Sequence, residues 1–276
     1  MSLFDKEKFL IGMVHLKPLV GYEGFVSIED VAKDAISDAL KLKEAGFDAI
    51  MIENNYDIPH KEFITKENEE CFNEVVKSIR EAVGKEAILG INALWNDHEA
   101  GLRIAKDTAC RFIRVAVFVD HVRTSYGDIL GHAYKVIEFR KELGAEDICL
   151  FTDIQVKHSE LLNIRPIEDS ALEAIEKDSD GLIVTGKWTG DAPNLEKLAS
   201  VRKAVKDFPI IIGSGATKDN MSTLLEYADA IIVGTALKTG KVKDKSEEVN
   251  LKSYEERVNL KEAISFVKKF NNLTNK

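Results

Sequence analysis

Short apolar runs alternate with longer amphipathic segments along the chain. The apolar runs span residues 9–15, 47–53, 87–92, 112–118, 147–156, 181–185, 209–213 and 230–234. Each is continuously apolar, which is typical of strands buried on both faces of a parallel sheet. The amphipathic segments predict helices over residues 29–45, 66–83, 97–109, 127–143, 167–177, 194–206, 218–227 and 254–270. Glycines such as Gly46, Gly84 and Gly144 end three of these helices.

Strict alternation of eight strands with eight helices predicts βαβ units joined by right-handed crossovers. A doubly wound open sheet is the main alternative. That sheet would have two edge strands, yet none of the eight runs is more polar than the others. We therefore expect a closed (β/α)₈ TIM barrel, with residues 1–276 forming a single domain.

Composition and charge exclude several kinds of binding partner. The formal net charge of −9 argues against a broad nucleic-acid surface. No apolar stretch approaches the ~18 residues of a membrane span, and residues 1–8 are too charged and short for a signal peptide. The three cysteines lack CxxC spacing, as expected for reduced thiols. We expect a cytoplasmic protein, and homo-oligomers are common among such barrels.

Polar residues interrupt the apolar pattern mainly where strands end. In a TIM barrel, catalytic groups come from these carboxyl ends and from the loops that follow them. The side chains in such positions are His15, Glu53, Asn54, Asn92, Arg114, Asp153, Lys157 and Thr185. They predict a site at that end of the barrel.

The fifth strand carries Asp153, Gln155 and Lys157 at alternate positions. A spacing of two places them on one face, and turning that face toward the helices would bury unpaired charge. We therefore expect all three to point into the barrel mouth and to pair with Glu53, Arg114 or a ligand. A structural ion-pair network is the alternative interpretation.

His15 follows an apolar run and is either a packed, hydrogen-bonded group or a functional one. No HExxH or His-x-His motif occurs, so the sequence does not indicate a zinc site. His15, Glu53 and Asp153 could nevertheless hold a divalent metal ion, although such a mixture is not diagnostic. No other cofactor is predicted.

Glycines at the ends of the last strands suggest a phosphate site. Gly213-Ser214-Gly215 follows the seventh strand, Gly234-Thr235 ends the eighth, and Thr185-Gly186 ends the sixth. Glycine lets the backbone approach a ligand and direct amides at it, and barrels of this type bind phosphate after strands seven and eight. The alternative is a set of tight turns with no ligand.

Two segments interrupt the rhythm of the repeats. Residues 119–126 follow the fourth strand and residues 236–253 follow the eighth. Both lie where loops at the carboxyl end of the barrel are expected, so either could cover the site. The second, rich in Lys, Asp and Glu, is equally consistent with a solvated loop.

Taken together, several segments resemble the BtpA/SgcQ family, which is named for a protein linked to photosystem I biogenesis. The matching segments are Ile11-Gly12-Met13-Val14-His15-Leu16-Lys17-Pro18-Leu19, Gly46-Phe47-Asp48-Ala49-Ile50-Met51-Ile52-Glu53-Asn54, Phe112-Ile113-Arg114-Val115, Asp153-Ile154-Gln155-Val156-Lys157-His158, Ile183-Val184-Thr185-Gly186, Gly213-Ser214-Gly215-Ala216-Thr217 and Val233-Gly234-Thr235-Ala236-Leu237-Lys238. The resemblance implies a phosphate-binding TIM barrel and no settled reaction. The family's Asn-Pro-Val-Asp run is replaced here by Asn250-Leu251-Lys252-Ser253.

These residues predict an enzyme acting on a small phosphorylated metabolite, a sugar phosphate or a nucleotide-derived compound. Glu53 and Asp153 are the acid/base candidates, and Lys157 is an electrostatic stabiliser or a Schiff-base nucleophile. The remaining strand-end side chains would orient the substrate. A lyase, an aldolase or an isomerase comes first, and a glycosidic hydrolase also fits. The alternative is a non-catalytic assembly, stability or regulatory factor.

Overall fold

The computed structural model describes residues 7–238 and 256–274. Eight parallel strands close into a barrel and confirm the predicted (β/α)₈ fold. In order around the barrel they are β1 (Phe9–His15), β2 (Ala49–Glu53), β3 (Ile88–Asn92), β4 (Phe112–Val115), β7 (Cys149–Asp153), β9 (Gly181–Val184), β10 (Ile210–Ile212) and β11 (Ala230–Val233). Strand β11 pairs with β1 and completes the closure.

Helices surround the barrel. They are α1 (Ile28–Ala45), α2 (Lys66–Val83), α3 (His98–Asp107), α4 (Ala133–Glu142), α5 (Ile167–Glu176), α6 (Leu195–Val205), α7 (Met221–Leu224) and α8 (Leu260–Thr274). Helix α1 shows how the local sequence sets the ends: the Ser27 side chain accepts from the Asp30 amide, and Gly46 ends the helix with φ 93°. None of the described helices is both long and apolar enough to cross a membrane.

The strands bury apolar side chains on both faces, as their continuous apolar runs predict. The outward side chains pack against the helices in a large core. The inward side chains form a second cluster that fills the lower barrel. Its members are Phe9, Ile11, Met13, Ala49, Met51, Phe112, Phe151, Ile183, Ile211, Ala230 and Ile232. The lower barrel is therefore a packed core, and only its upper end is available for chemistry.

The segment after β4 differs from the prediction. Residues 127–143 were expected to form one helix, but β5 (His121–Thr124) and β6 (Gly127–Leu130) form an antiparallel hairpin before α4 begins. Strand β8 (Ser159–Leu161) joins β5 on its other side. Gly127, at φ 123°, takes the turn conformation that favours glycine. The predicted loop over residues 119–126 therefore contains one strand of a small sheet, β5.

Strand β7 also ends earlier than predicted. Gln155 has φ 50°, so the alternation of side chains stops after Asp153. The side-chain Nε2 of Gln155 donates to the Arg165 carbonyl, and the backbone amide of Gln155 donates to Asp120 Oδ2. The expectation that Gln155 shares a face with Asp153 and Lys157 was therefore wrong.

At the end of the chain, the seventh helix is one turn, Met221–Leu224, within the predicted span of 218–227. The eighth begins at Leu260 rather than at residue 254. Most of the segment at 236–253, including Asn250-Leu251-Lys252-Ser253, lies outside the described residues. Its beginning forms a short 3₁₀ turn, Thr235–Leu237.

Candidate active site at the barrel mouth

Eight residues form the uppermost inward layer of the barrel. His15, Glu53 and Asn92 are aligned in register across β1, β2 and β3. Seven of the eight residues lie two positions beyond an inward side chain of the same strand, and Asn92 lies two positions beyond Gly90, where a Cβ would meet the Phe112 ring, so all eight positions lie on the same interior face. The layer, which we call the polar ring, consists of His15, Glu53, Asn92, Arg114, Asp153, Thr185, Gly213 and Gly234. All eight are among the predicted site residues.

Arg114 and Asp153 form a buried, bidentate ion pair in the ring. Arg114 Nε donates to Asp153 Oδ1 over 2.7 Å, and Nη2 donates to Oδ2 over 2.8 Å. Their side chains are only 5% and 0% exposed. Both carboxylate oxygens are occupied, so Asp153 is better placed to hold Arg114 than to exchange protons, the use expected from the sequence. The expected pairing of this strand with Arg114 is present.

Lys157 lies above the ring rather than in it. The chain turns away at Gln155 and returns, and the Lys157 amide donates to Thr185 Oγ1 over 3.0 Å. The Lys157 Nζ donates to Thr189 Oγ1 over 3.3 Å. Burial, and secondarily the charge of Arg114, lower the pKa of Lys157 from 10.5 to about 8, although Glu53 and Asp153 oppose the shift. The neutral fraction of this amine near pH 7 is therefore far larger than that of an ordinary lysine.

His15, Glu53 and Asn92 form the other side of the ring. The Asn92 Nδ2 donates to Glu53 Oε2. His15 Nε2 lies 3.7 Å from Glu53 Oε1, which is too long for a hydrogen bond. Burial, followed by the charges of Lys238, Lys157 and Arg257, lowers the pKa of His15 well below its usual range. His15 is therefore a neutral imidazole beside a carboxylate, not one half of a salt bridge.

The structure does not bring Asn54 into the mouth. Its side chain is fully buried, and Oδ1 accepts from the Leu94 amide over 2.7 Å. Its Nδ2 donates to Asp57 and to the Leu94 carbonyl. The sequence had suggested that Asn54 binds a substrate. Because its polar atoms already make hydrogen bonds within the protein, Asn54 instead holds the loops after β2 and β3 together.

In the glycine-rich loops, some backbone amides donate hydrogen bonds within the protein and others remain available to a ligand. The Gly186 amide donates to Ser214 Oγ, which donates to the Asp191 carbonyl, and the Gly213 amide donates to the Val184 carbonyl. The amides of Gly186 and Gly213 and the Ser214 hydroxyl therefore form hydrogen bonds within tight turns, which was the alternative to a ligand site.

Three predicted amides make no hydrogen bond to another described residue: those of Gly215, Gly234 and Thr235. Gly215 has φ 68°, and a Cβ there would lie 2.0 Å from the Ala192 amide nitrogen, so only glycine fits. These three amides are the part of the predicted anion site that stays available.

Lys238 and Thr189 are functional candidates that the sequence did not single out. Lys238 Nζ donates to Tyr56 Oη over 3.2 Å, and its charge reaches His15. Thr189 bridges Lys157 and His158, accepting from Lys157 and lying 2.8 Å from His158 Nε2. Both follow a strand by four residues or more, beyond the strand-end positions that a periodicity argument examines.

The three side chains that the sequence offered as possible ligands of a divalent ion, His15, Glu53 and Asp153, have different neighbours in the structure. Within residues 7–238 and 256–274, no three His, Cys, Asp or Glu side chains are arranged to hold a metal ion. His15 and Glu53 are neighbours, but Asp153 is bound by Arg114. The sequence treated all three as strand-end groups and could not show which neighbour each would bind.

With this geometry established, comparison with known proteins shows that the chain belongs to the BtpA family, whose pattern it matches over residues 6–259. It is 40% identical to an uncharacterized protein of Thermococcus kodakarensis over 84% of this chain and 88% of that one. It is 34% identical to the photosystem I biogenesis protein BtpA of Synechocystis, covering 85% and 82% of the two chains.

Solved structures share the fold at low sequence identity. The phosphoribosyl anthranilate isomerase of Thermus thermophilus superimposes with a TM-score of 0.58 at 11% identity, covering 96% of this chain and 99% of that one. The (S)-3-O-geranylgeranylglyceryl phosphate synthase of Thermoplasma acidophilum, solved with its substrate sn-glycerol-1-phosphate, gives 0.56 at 16% identity, covering 96% and 94%. These likenesses establish the barrel.

Proposed function

We propose that this member of the BtpA family is an enzyme that acts on a small phosphorylated metabolite by acid/base chemistry at the barrel mouth. A lyase or aldolase, or an isomerase, fits the site best. The observation that carries the proposal is the polar ring itself. It places two carboxylates, a buried guanidinium and a neutral imidazole within one layer, and a lysine of lowered pKa lies above them.

Burying so many ionisable groups is costly unless they serve a purpose. An apolar layer would close the barrel more cheaply, as it does one layer below. Perturbed pKa values in a concave site are also frequent where groups must exchange protons. The arrangement therefore favours chemistry over a purely structural network.

The individual roles follow from which atoms are free. Glu53 Oε1 makes no hydrogen bond to His15 and is the acid/base candidate. Lys157, partly neutral, stabilises developing negative charge or attacks a carbonyl as a nucleophile. Asp153 holds Arg114 in position.

The phosphate would lie where the last two strands of the barrel end. The amides of Gly215, Gly234 and Thr235 are available donors, and Lys238 supplies a positive charge nearby. Two barrels of the same shape, the isomerase and the synthase named above, carry phosphorylated compounds in their descriptions, and this agrees with the proposal. A homo-oligomer remains a prediction.

A non-catalytic role is the second candidate, because the Synechocystis relative is named for photosystem I biogenesis. A barrel that only assembles or stabilises other proteins does not need a lysine of lowered pKa above buried carboxylates. The two candidates differ in what substitutions at Glu53 and Lys157 would do.

Thermal shift with a panel of phosphate monoesters tests the proposal. A ligand at 100 times its dissociation constant should stabilise the protein by about 2.7 kcal/mol. Glu53→Gln and Lys157→Met should abolish turnover of any substrate so identified while the phosphate ester still binds. If no ester shifts the melting temperature and both variants support cellular function fully, the enzyme proposal fails and the non-catalytic role stands.

A further inference from the structure

Two buried polar atoms of the ring have no hydrogen-bond partner in the described part of the chain. They are Nδ1 of His15 and Oδ1 of Asn92. Asn92 is 1% exposed. Buried polar atoms in folded proteins are nearly always satisfied, so each exception needs an explanation. Here both exceptions lie in the same layer, on β1 and β3, on either side of Glu53.

The orientation of the Asn92 amide follows from its neighbour. An ionised carboxylate can only accept hydrogen bonds, so the NH₂ group of Asn92 must face Glu53. The Oδ1 atom therefore faces away from Glu53, and exchanging the two amide atoms would place two acceptors against each other.

His15, Glu53 and Asn92 together form what we call the acceptor corner. It offers the Asn92 amide oxygen and the Glu53 Oε1 atom, next to a histidine whose lowered pKa keeps it uncharged. Oxygens of this kind bind hydrogen-bond donors and disfavour anions. A ligand group suited to the corner is a hydroxyl, or a pair of adjacent hydroxyls.

The acceptor corner adjoins the available amides. A Cβ on Gly234 would lie 3.0 Å from the His15 ring, so His15 packs directly against the backbone that ends β11. Because β11 and β1 are neighbours in the closed barrel, a phosphate on the Gly234 and Thr235 amides would place the next carbons of a ligand beside His15. The corner and the amides are thus suited to opposite ends of one small molecule.

We infer that the substrate is a polyol phosphate, whose adjacent hydroxyls donate to Asn92 Oδ1 and Glu53 while its phosphate occupies the amides beyond His15. The inference rests on the proposed function and narrows its substrate class. It excludes phosphates with an apolar chain at this position, because these would leave the corner unsatisfied.

Calorimetric binding of four probes to the full-length protein tests the inference: inorganic phosphate, ethyl phosphate, glycerol 1-phosphate and ribose 5-phosphate. Ethyl phosphate carries no hydroxyl and should bind about as weakly as inorganic phosphate. The two polyol phosphates should bind at least tenfold more tightly, since a hydrogen bond that satisfies a buried acceptor is worth about a factor of ten or more.

The variant Asn92→Ala should remove most of that tenfold preference while leaving ethyl phosphate binding unchanged. Asn163→Ala, an exposed asparagine outside the ring, is the matched control and should keep the preference. Comparing ligands on the unmodified protein keeps the test decisive even if Asn92→Ala folds poorly.

Each other outcome contradicts a specific step. Equal affinity for ethyl phosphate and the polyol phosphates overturns the inference and leaves the proposed function standing. Failure of all four probes to bind overturns the inference, and the thermal-shift panel with the Glu53 and Lys157 variants decides separately whether the proposed function also fails. A further titration uses Mn²⁺ without any phosphate. Binding of Mn²⁺ that is lost in Asn92→Ala would make the corner a cation site and overturn its assignment to hydroxyls.

Discussion

The barrel interior contains two layers built by the same strands with opposite chemistry. In the lower layer, Met13, Met51, Phe151 and Ile183 belong to one cluster of buried apolar side chains. Two residues further along the same strands, His15, Glu53, Asp153 and Thr185 form part of the polar ring. The backbone register is continuous from one layer to the next, so the difference lies in the side chains alone.

This difference separates stability from chemistry within one core. Burying apolar surface stabilises the fold by about 25 cal/mol per Å², whereas burying an ion pair is often no better than an apolar replacement. We therefore expect the lower layer to tolerate little change in shape. The ring should tolerate loss of its charge, provided that no charge is left unpaired.

The largest expected effect comes from unpairing the buried charge. Asp153→Ala leaves the Arg114 guanidinium buried without its carboxylate and should cost about 3–5 kcal/mol of unfolding free energy, measured in urea. Replacing both residues, as in Arg114→Met with Asp153→Leu, should recover most of that loss. The double variant should be stable and inactive.

Ile183→Val, in the lower layer and in register with Asp153, is the matched control. It should cost about 0.5–1.5 kcal/mol and leave activity intact. A double variant as unstable as Asp153→Ala alone would show that the ring is needed for stability, and the distinction between the two layers would be lost.

The second prediction concerns Lys157. With its pKa near 8 rather than 10.5, its neutral fraction at pH 7 is about 300 times that of an ordinary lysine. Its rate of modification by acetic anhydride, followed by peptide mass spectrometry, should therefore rise with a midpoint near pH 8. Exposed Lys66 provides the internal reference.

Glu53→Gln sharpens this prediction, because the Glu53 carboxylate raises the pKa of Lys157. Removing that negative charge should move the labelling midpoint below 8. A midpoint near 10.5 in the unmodified protein, or an upward shift in Glu53→Gln, would mean that the Lys157 amine does not lie among these charges.

Much of the two-layer arrangement could be predicted from the sequence. Continuous apolar runs ending in a polar residue identify both the strand and its last inward position, because side-chain direction in a strand has a fixed period of two. Six members of the polar ring were predicted from such polar positions, and Gly213 and Gly234 were predicted from the glycines that end the last two strands. Asp153 and Lys157 were also expected near Arg114, and the ion pair is there.

The remainder depended on backbone turns and on partners distant in sequence. The left-handed conformation of Gln155 broke the period on which its predicted direction relied. Residues 127–130 had enough helical character to be assigned to α4, yet pairing with β5 made them a strand. Strand pairing depends on a partner segment, so local periodicity could not reveal it.

The role of Asn54 was hidden for the same reason. It follows the strand end at Glu53, as a substrate-binding residue would, but its hydrogen bonds to Leu94 join two loops that lie 40 residues apart in sequence. A strand-end position predicts proximity to the mouth and cannot predict whether the side chain is already occupied.

A third prediction tests the tight packing of the lower layer. An alanine Cβ at Gly90 would lie 2.2 Å from the Phe112 ring, which packs 4.9 Å from Phe151 between ring centres. Gly90→Ala should therefore cost about 1–3 kcal/mol of unfolding free energy. The pH midpoint of Lys157 labelling should stay near 8. A shifted midpoint would show that packing below determines the electrostatics above.

Phe112→Leu combined with Gly90→Ala is the control for that clash. Removing the aromatic ring frees the space, so the double variant should be more stable than the sum of the two single losses predicts. Additive losses would mean that Gly90 is needed for a reason other than the Phe112 ring.

The smallest expected effect is the pH dependence that His15 gives to the ring. Its pKa is lowered in the folded protein, so the unfolded chain binds more protons once the pH falls below about 6.5. Folded stability should therefore decrease as the pH falls from 6.5, with a slope approaching about 1.4 kcal/mol per pH unit for this one group. Above pH 7 the contribution is constant, because His15 is neutral in both states.

The contribution of His15 has to be isolated by difference, because other histidines act in the same direction. Burial lowers the pKa of His60 and His158 to about 4 and also lowers the pKa of His98 and His132. Urea unfolding gives the unfolding free energy of the unmodified protein and of His15→Gln at pH 7.5, 6.5 and 5.5. The two free energies should converge as the pH falls. Phe151→Leu, in the lower layer, removes no titratable group and should lower stability equally at all three values. If His15→Gln instead behaves like Phe151→Leu, the imidazole is not held neutral in the ring, and the acceptor corner loses one of its three members.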